Sequence, residues 1–272
     1  MAHYGNYRAN LKPGDKVRFR IKRQENVGAE VKWEEFEVAF KEGANVISCL
    51  MEIQRNPVTV DGKKTAPVCW DSNCLEEVCG ACSMNINGKV RQACSALVDT
   101  LEQPITLEPM QKFPLVRDLA VNREVMFESL KRVKGWIPID GTHDLGPGPR
   151  VPPKDQQVNY VMSTCMTCGC CLEACPQVNS NSAFIGAAAI NQVRLFNNHP
   201  TGKMHAEDRL RALMQPGGVQ DCGKAQNCTL VCPKEIPLTT SIAAMYKATT
   251  TLAIKDFFLK SEGEEKAAAG PG

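Results

Sequence analysis

Residues 74–94 read CLEEVCGACSMNINGKVRQAC, and the spacing Cys74-x4-Cys79-x2-Cys82-x11-Cys94 decides how the front of the chain is read. Three thiolates can converge on a compact inorganic core only from one tight loop, with a fourth supplied by a later strand. This is the ligand spacing of a plant-type [2Fe–2S] site. Gly80 and Ala81, between two of the cysteines, let the backbone approach closely and leave its amides free to donate to sulfur. Asn87-Gly88 marks a tight turn joining strands at 83–86 and 89–98. A zinc ribbon is the alternative, but it usually shows two CxxC pairs, and only Cys79/Cys82 is such a pair. No Cys-x-His occurs, which excludes a Rieske centre.

Working outward, residues 16–24 (KVRFRIKRQ) alternate Val17, Phe19 and Ile21 with basic residues, and 35–40 repeat the pattern with Phe36, Val38 and Phe40. Both predict half-buried strands. Asn45 is a natural N-cap for a short helix carrying Val46, Ile47, Leu50, Met51 and Ile53. The order β-β-α-β-β suits a small sheet gripping one helix. Beyond Pro114 the texture changes. Residues 118–136 place Leu119, Met126, Leu130 and Val133 at helical spacing, and IPIDGTHDLGPGPRVPPKD at 137–155 is a linker. Helices are predicted over 185–196, 206–214 and 240–259, the last with Ile242, Met245, Tyr246, Thr249, Leu252 and Phe257 on about one face. The fold class is α+β: a front domain over 1–117, an all-helical domain over 118–260, and a disordered tail, SEGEEKAAAGPG, at 261–272.

The chain has 272 residues and fourteen cysteines, and its 32 basic and 30 acidic residues leave a net charge of +2. That balance argues against a nucleic-acid binder. No apolar run approaches the ~20 residues of a membrane span, and the N-terminal MAHYGNYRANLKPGD has neither an apolar segment nor a twin arginine. The expectation is a cytoplasmic, non-spanning protein, where thiols stay reduced and so serve metal or redox chemistry.

Two more cysteine runs follow a cysteine-free gap from 95 to 164. Cys165-x2-Cys168-x2-Cys171-x3-Cys175-Pro176 is the bacterial ferredoxin run, whose fourth cysteine serves the other cluster in two-cluster proteins. Its partner is Cys222-x2-Ala225-x2-Cys228-x3-Cys232-Pro233, with alanine where the second ligand would stand. Cross-assignment gives Cys165, Cys168, Cys171 and Cys232 to a [4Fe–4S] centre, and Cys175, Cys222 and Cys228 to a [3Fe–4S] centre. Cys49, Cys69 and Cys170 are left outside. Cys49 lies in the apolar face of the first helix and reads as a small core residue. His3, His143, His199 and His205 form no metal motif, and no GxGxxG or Walker sequence occurs. The chain therefore carries electron relays, no assigned catalytic residue and no flavin or nucleotide site. It must work between partners.

CLEEVCGACSMNING at 74–88, CMTCGCCLEACP at 165–176 and DCGKAQNCTLVCPKEIP at 221–237 resemble the iron–sulfur subunit of succinate dehydrogenase and fumarate reductase, a likeness running from about Val17 to about Leu259. The resemblance implies a β-grasp ferredoxin domain followed by a helical ferredoxin domain. It implies a flavoprotein partner with covalent FAD that oxidises succinate in the tricarboxylic acid cycle. It also implies a membrane cytochrome b anchor with haem b that reduces quinone, and a peripheral location at the cytoplasmic face of the cell membrane. In ubiquinone-reducing relatives a serine- and tryptophan-rich segment and a histidine follow the equivalents of Cys175 and Cys222. Here those positions read Pro176-Gln177-Val178-Asn179 and Gly223. MEIQRNPV at 51–58, GWIPIDGTHDLGPGPR and RLFNNHPTG look like the branch with a single dihaem cytochrome b anchor, for which menaquinone is the usual acceptor. A soluble carrier ferredoxin is the competing class. The 3Fe position and the long linker argue against it.

Overall fold

A computed structural model describes residues 9–138 and 150–268. Most of the Pro/Gly linker, His3, His143 and the last four residues of the expected tail lie outside the described residues.

Strand β1 (Lys16–Arg23) pairs antiparallel with β2 (Lys32–Ala39), and its alternation buries Val17, Phe19 and Ile21 completely. Helix α1 (Val46–Arg55) starts at a reciprocal cap. Ser48 N donates to Asn45 Oδ1 at 2.8 Å, and Asn45 N donates to Ser48 Oγ at 3.0 Å. Its inner face, Val46, Ile47, Cys49, Leu50 and Ile53, joins Val17, Phe19, Ile21 and Phe36 in one core. Cys49 packs there as expected from its position, and burial pushes its thiol up to about 11.

β3 (Ser83–Ile86) and β4 (Lys89–Gln92) form the hairpin, with φ of 49° at Asn87 and 73° at Gly88, as a two-residue turn of this hand requires. β4 ends at Gln92, short of the expected 98, because the chain turns there to bring Cys94 N onto Cys82 Sγ at 3.4 Å. A strand that the alternation did not reveal, β5 (Ile105–Glu108), runs parallel to β1 and antiparallel to β3, completing a mixed sheet of order β2-β1-β5-β3-β4.

The helix expected from 118 starts later. β6 (Leu115–Arg117) and β7 (Ala120–Val121) form a small ribbon, and α2 occupies Glu124–Arg132. The cause is Asp118, held at a φ of 47°. Its buried carboxylate accepts from Gln24 N at 3.1 Å and Cys69 N at 2.9 Å and pairs with Arg23 Nε at 3.0 Å. Arg23, itself 3% exposed, also meets Glu34 and donates to the Ala66 and Pro67 carbonyls.

The remaining helices are α3 (Pro153–Ser163), α4 (Cys170–Glu173), α5 (Gly186–Asn198), α6 (Ala206–Leu213), α7 (Asn227–Leu230) and α8 (Leu238–Ala268). By contacts the chain divides into two compact units. The first takes residues up to Met126 together with Cys165–Cys175 and Gln226–Glu235, and the second takes the rest. In the second unit, Arg209 is buried and donates to the carbonyls of Lys134, Trp136 and Gly202. Asn191 links Met162 O to Ser241 Oγ. On α8 the buried stripe is Leu238, Ser241, Met245, Thr249 and Leu252, whereas Tyr246 and Phe257, expected on that face, are exposed. The spacing 238, 241, 245, 249, 252 follows the helical period more closely than the expected set. Among the described residues no helix is long and apolar enough to cross a membrane.

Deleting the Asp118 carboxylate leaves Arg23 buried with one fewer charge partner, so Asp118→Ala should cost about 3–5 kcal/mol, read as a lowered urea midpoint. Glu34 should contribute an acid limb. Burial raises its carboxyl, but hydrogen bonds from Lys32 and Thr65 and the Arg23 charge outweigh this and hold it below the usual range. A depressed folded pKa gives stability that is present above the ordinary value of 4.5 and is lost as pH falls through the folded one. Melting curves of Glu34→Gln should therefore fall less steeply with acid than those of the parent.

Candidate metal centres

The loop after Cys74 is folded so that its amides point at sulfur. Cys74 Sγ accepts from the backbone N–H of Glu76 at 3.4 Å, Val78 at 3.3 Å and Cys79 at 3.3 Å, and Cys79 Sγ accepts from Cys74 N and Ala81 N at 3.4 Å each. Positive φ at Leu75, Glu77 and Gly80 turns the chain tightly enough to do this. The Glu76 and Val78 amides, in that order, bring the Cys74 thiol down to about 7, favouring the thiolate. Cys82 is different: burial first, and the adjacent Cys94, push it up to about 12. Cys74 thus meets Cys79, and Cys82 meets Cys94.

The rear of this loop is pinned. The Arg123 guanidinium donates to the carbonyls of Gly80 and Ala81. A Cβ on Gly80 would lie 2.7 Å from Cys168 Cα, so Gly80 abuts the next cysteine run directly.

That run turns into α4 through Gly169, whose φ is 85° and whose added Cβ would meet the Phe113 ring at 2.9 Å. Glu173 anchors it by accepting from Gln111 N at 2.9 Å, Lys112 N at 3.0 Å and Asn85 Nδ2 at 3.0 Å. Lys112 donates to Cys175 O, and Asn227 Nδ2, on α7, donates to Ala174 O at 3.0 Å. Cys171 is the focus. Burial and the nearness of Cys168, Cys165, Cys232 and Cys228 push its thiol well above the ordinary range. Five of the expected ligands are therefore gathered around one point of the first unit. Cys222 belongs to the second unit, directly after the short turn Val219–Asp221. The cysteines left outside have other neighbours. Cys69 is held through its backbone by Asp118, and Cys170 is wholly buried with Gln92 Nε2 at 3.5 Å. Spacing alone gave no hint of Arg123, Ser83 or Gln92, which carry no motif.

A donor set of thiols, with backbone N–H groups aimed at sulfur, fits iron–sulfur clusters. The comparisons agree. Residues 18–128 match the 2Fe-2S iron-sulfur cluster binding domain family, and residues 161–236 match the 4Fe-4S dicluster domain family. The succinate dehydrogenase iron-sulfur subunit of Bacillus subtilis is 62% identical over 242 residues, 89% of this chain and 96% of that protein. The fumarate reductase iron-sulfur subunit of Wolinella succinogenes is 34% identical over 177 residues, 64% of this chain and 74% of that one. In fold, the chain is similar to one from the Mycobacterium smegmatis Sdh1 complex in the apo form, with a TM-score of 0.69 at 23% identity over 87% of this chain and 96% of that chain.

The Gly80 contact makes a sharp test. Gly80→Ala forces a left-handed residue to carry a Cβ, worth about 1–2 kcal/mol, and drives that Cβ against backbone. Iron bound per purified chain should drop well below the parent's. Full iron content with unchanged stability would mean the two loops are not packed at this point.

Proposed function

Because this chain belongs to the iron–sulfur subunits of succinate dehydrogenase and fumarate reductase, we propose that it is the relay between a flavoprotein carrying covalent FAD and a membrane cytochrome b anchor carrying haem b. In this reading Cys74, Cys79, Cys82 and Cys94 hold a [2Fe–2S] centre. Cys165, Cys168, Cys171 and Cys232 hold a [4Fe–4S] centre, and Cys175, Cys222 and Cys228 hold a [3Fe–4S] centre. The clusters, when bound, supply one-electron storage and transfer. The observation that supports the reading is that Cys165, Cys168 and Cys232, the expected companions of buried Cys171, lie beside it, with Cys228 of the other centre next to them.

The chain's own residues prepare the sites. The amides of Glu76, Val78 and Cys79 stabilise negative charge on Cys74, and the Cys74 and Ala81 amides do so on Cys79. Burial of Cys82, Cys94, Cys171, Cys228 and Cys232 keeps water from the sulfurs. No residue here handles the organic substrate, which belongs to the flavoprotein. The domain reading is a β-grasp ferredoxin domain over 1–117 and a helical ferredoxin-type domain over 118–260. The anchor holds the subunit at the cytoplasmic face of the membrane, and menaquinone is the acceptor, in keeping with the sequence of the dihaem branch.

EPR of the membrane-bound complex tests this, with Ala225→Cys as the discriminating variant. Succinate should reduce centres of three kinds in the parent. The variant restores a fourth thiolate to the 222–232 run, so the signal of the oxidised [3Fe–4S] centre should vanish in favour of a [4Fe–4S] signal, and quinone reduction should slow. Persistence of the 3Fe signal at full intensity would overturn the ligand assignment.

A further inference from the structure

Gln92 ends β4 with no exposed surface. A wholly buried amide is costly unless its polar atoms are all engaged, and a leucine would fill such a position on a strand without that demand. The side chain is engaged on two fronts. Its Oε1 lies 3.5 Å from the Sγ of Cys82. Its Nε2 donates to Ser83 Oγ at 2.7 Å and lies 3.5 Å from Cys170 Sγ. Ser83 faces Gln92 directly across the hairpin. The Ser83 hydroxyl lies 2.9 Å from Gly80 O and 2.8 Å from Cys168 O. One amide and one hydroxyl therefore link the sulfur of Cys82 to the backbone of Cys168 and the thiol of Cys170.

The two ends of the amide exchange by a half-turn of the last side-chain torsion. In either orientation one polar atom faces Cys82 and the other faces Ser83 and Cys170. A sulfur that has become a thiolate ligand favours the N–H end, which makes Gln92 a donor to that ligand from a side chain, in addition to the backbone donors of the loop.

We infer that Gln92 is a positioning residue for electron transfer, joining the loop that carries Cys82 to the loop that carries Cys168 and Cys170 and setting the polar surroundings of the Cys82 sulfur. This rests on the assignment of Cys82 to a [2Fe–2S] centre and of Cys168 to a [4Fe–4S] centre. Hydrogen bonds to ligand sulfur make a cluster easier to reduce, so the inference predicts a change in potential that mere packing would not produce.

The experiment is an EPR-monitored redox titration of the membrane-bound complex carrying Gln92→Leu. Gln92→Met, unbranched and of similar length, is the second variant should leucine block assembly. With iron content retained, the [2Fe–2S] centre should become harder to reduce by about threefold or more in its reduction equilibrium, and its relaxation enhancement by the neighbouring reduced centre should change. An assembled variant with unshifted potential and unchanged relaxation overturns the inference and leaves the cofactor assignment standing. A parent complex without a [2Fe–2S] signal overturns both.

Discussion

Crowding of sulfur around Cys171 is the constraint from which the rest of the first unit follows. Five thiols this close, three of them buried, resist ionising together, because neighbouring thiolates repel one another and burial penalises charge. Burial and its sulfur neighbours push the Cys171 thiol up, and Cys170 and burial push the Cys168 thiol up. Ligation reverses that preference, since it requires thiolates and releases protons, so the free energy of loading becomes part of the stability of the fold. Around this point the protein spends its rigid features: Gly169 against Phe113, Glu173 collecting three donors, and Asn227 tying α7 to the end of α4.

The two kinds of loop solve the charge problem differently. The Cys74 loop lies near the surface, with Leu75 and Val78 exposed, and answers negative charge with amides. Those amides lower the Cys74 thiol to about 7. The runs around Cys171 are deeper and lean on burial. Arg123 stands between these regimes: it clamps Gly80 and Ala81 while its charge lowers the pKa of Cys168, against the larger effects of Cys170 and burial.

Local pattern made much of this legible in the sequence. Alternation exposed β1 and β2, Asn45 announced α1, and spacing singled out the cysteine runs. What escaped depends on partners distant in sequence. β5 offers only ITLE, too short to show a period, and becomes a central strand because β1 and β3 flank it. Leu119 and Met126 satisfy helical spacing, but α2 starts only at Glu124 because Asp118 is committed to Arg23, Gln24 and Cys69. Gln92 and Ser83 look like ordinary strand residues until their neighbours at Cys82, Cys168 and Cys170 are known.

The first unit is stitched from three stretches separated along the chain, the last ending at Glu235. This gives the protein a clock. Translation proceeds at roughly 5–20 residues per second, and the sheet can form early, but its Cys165–Cys175 and Gln226–Glu235 partners emerge only afterwards. During that interval the surfaces of Met110 and Phe113, which pack near Gly169, have no cover from α4. Until Glu235 has emerged, the first unit lacks its last stretch and cannot be complete.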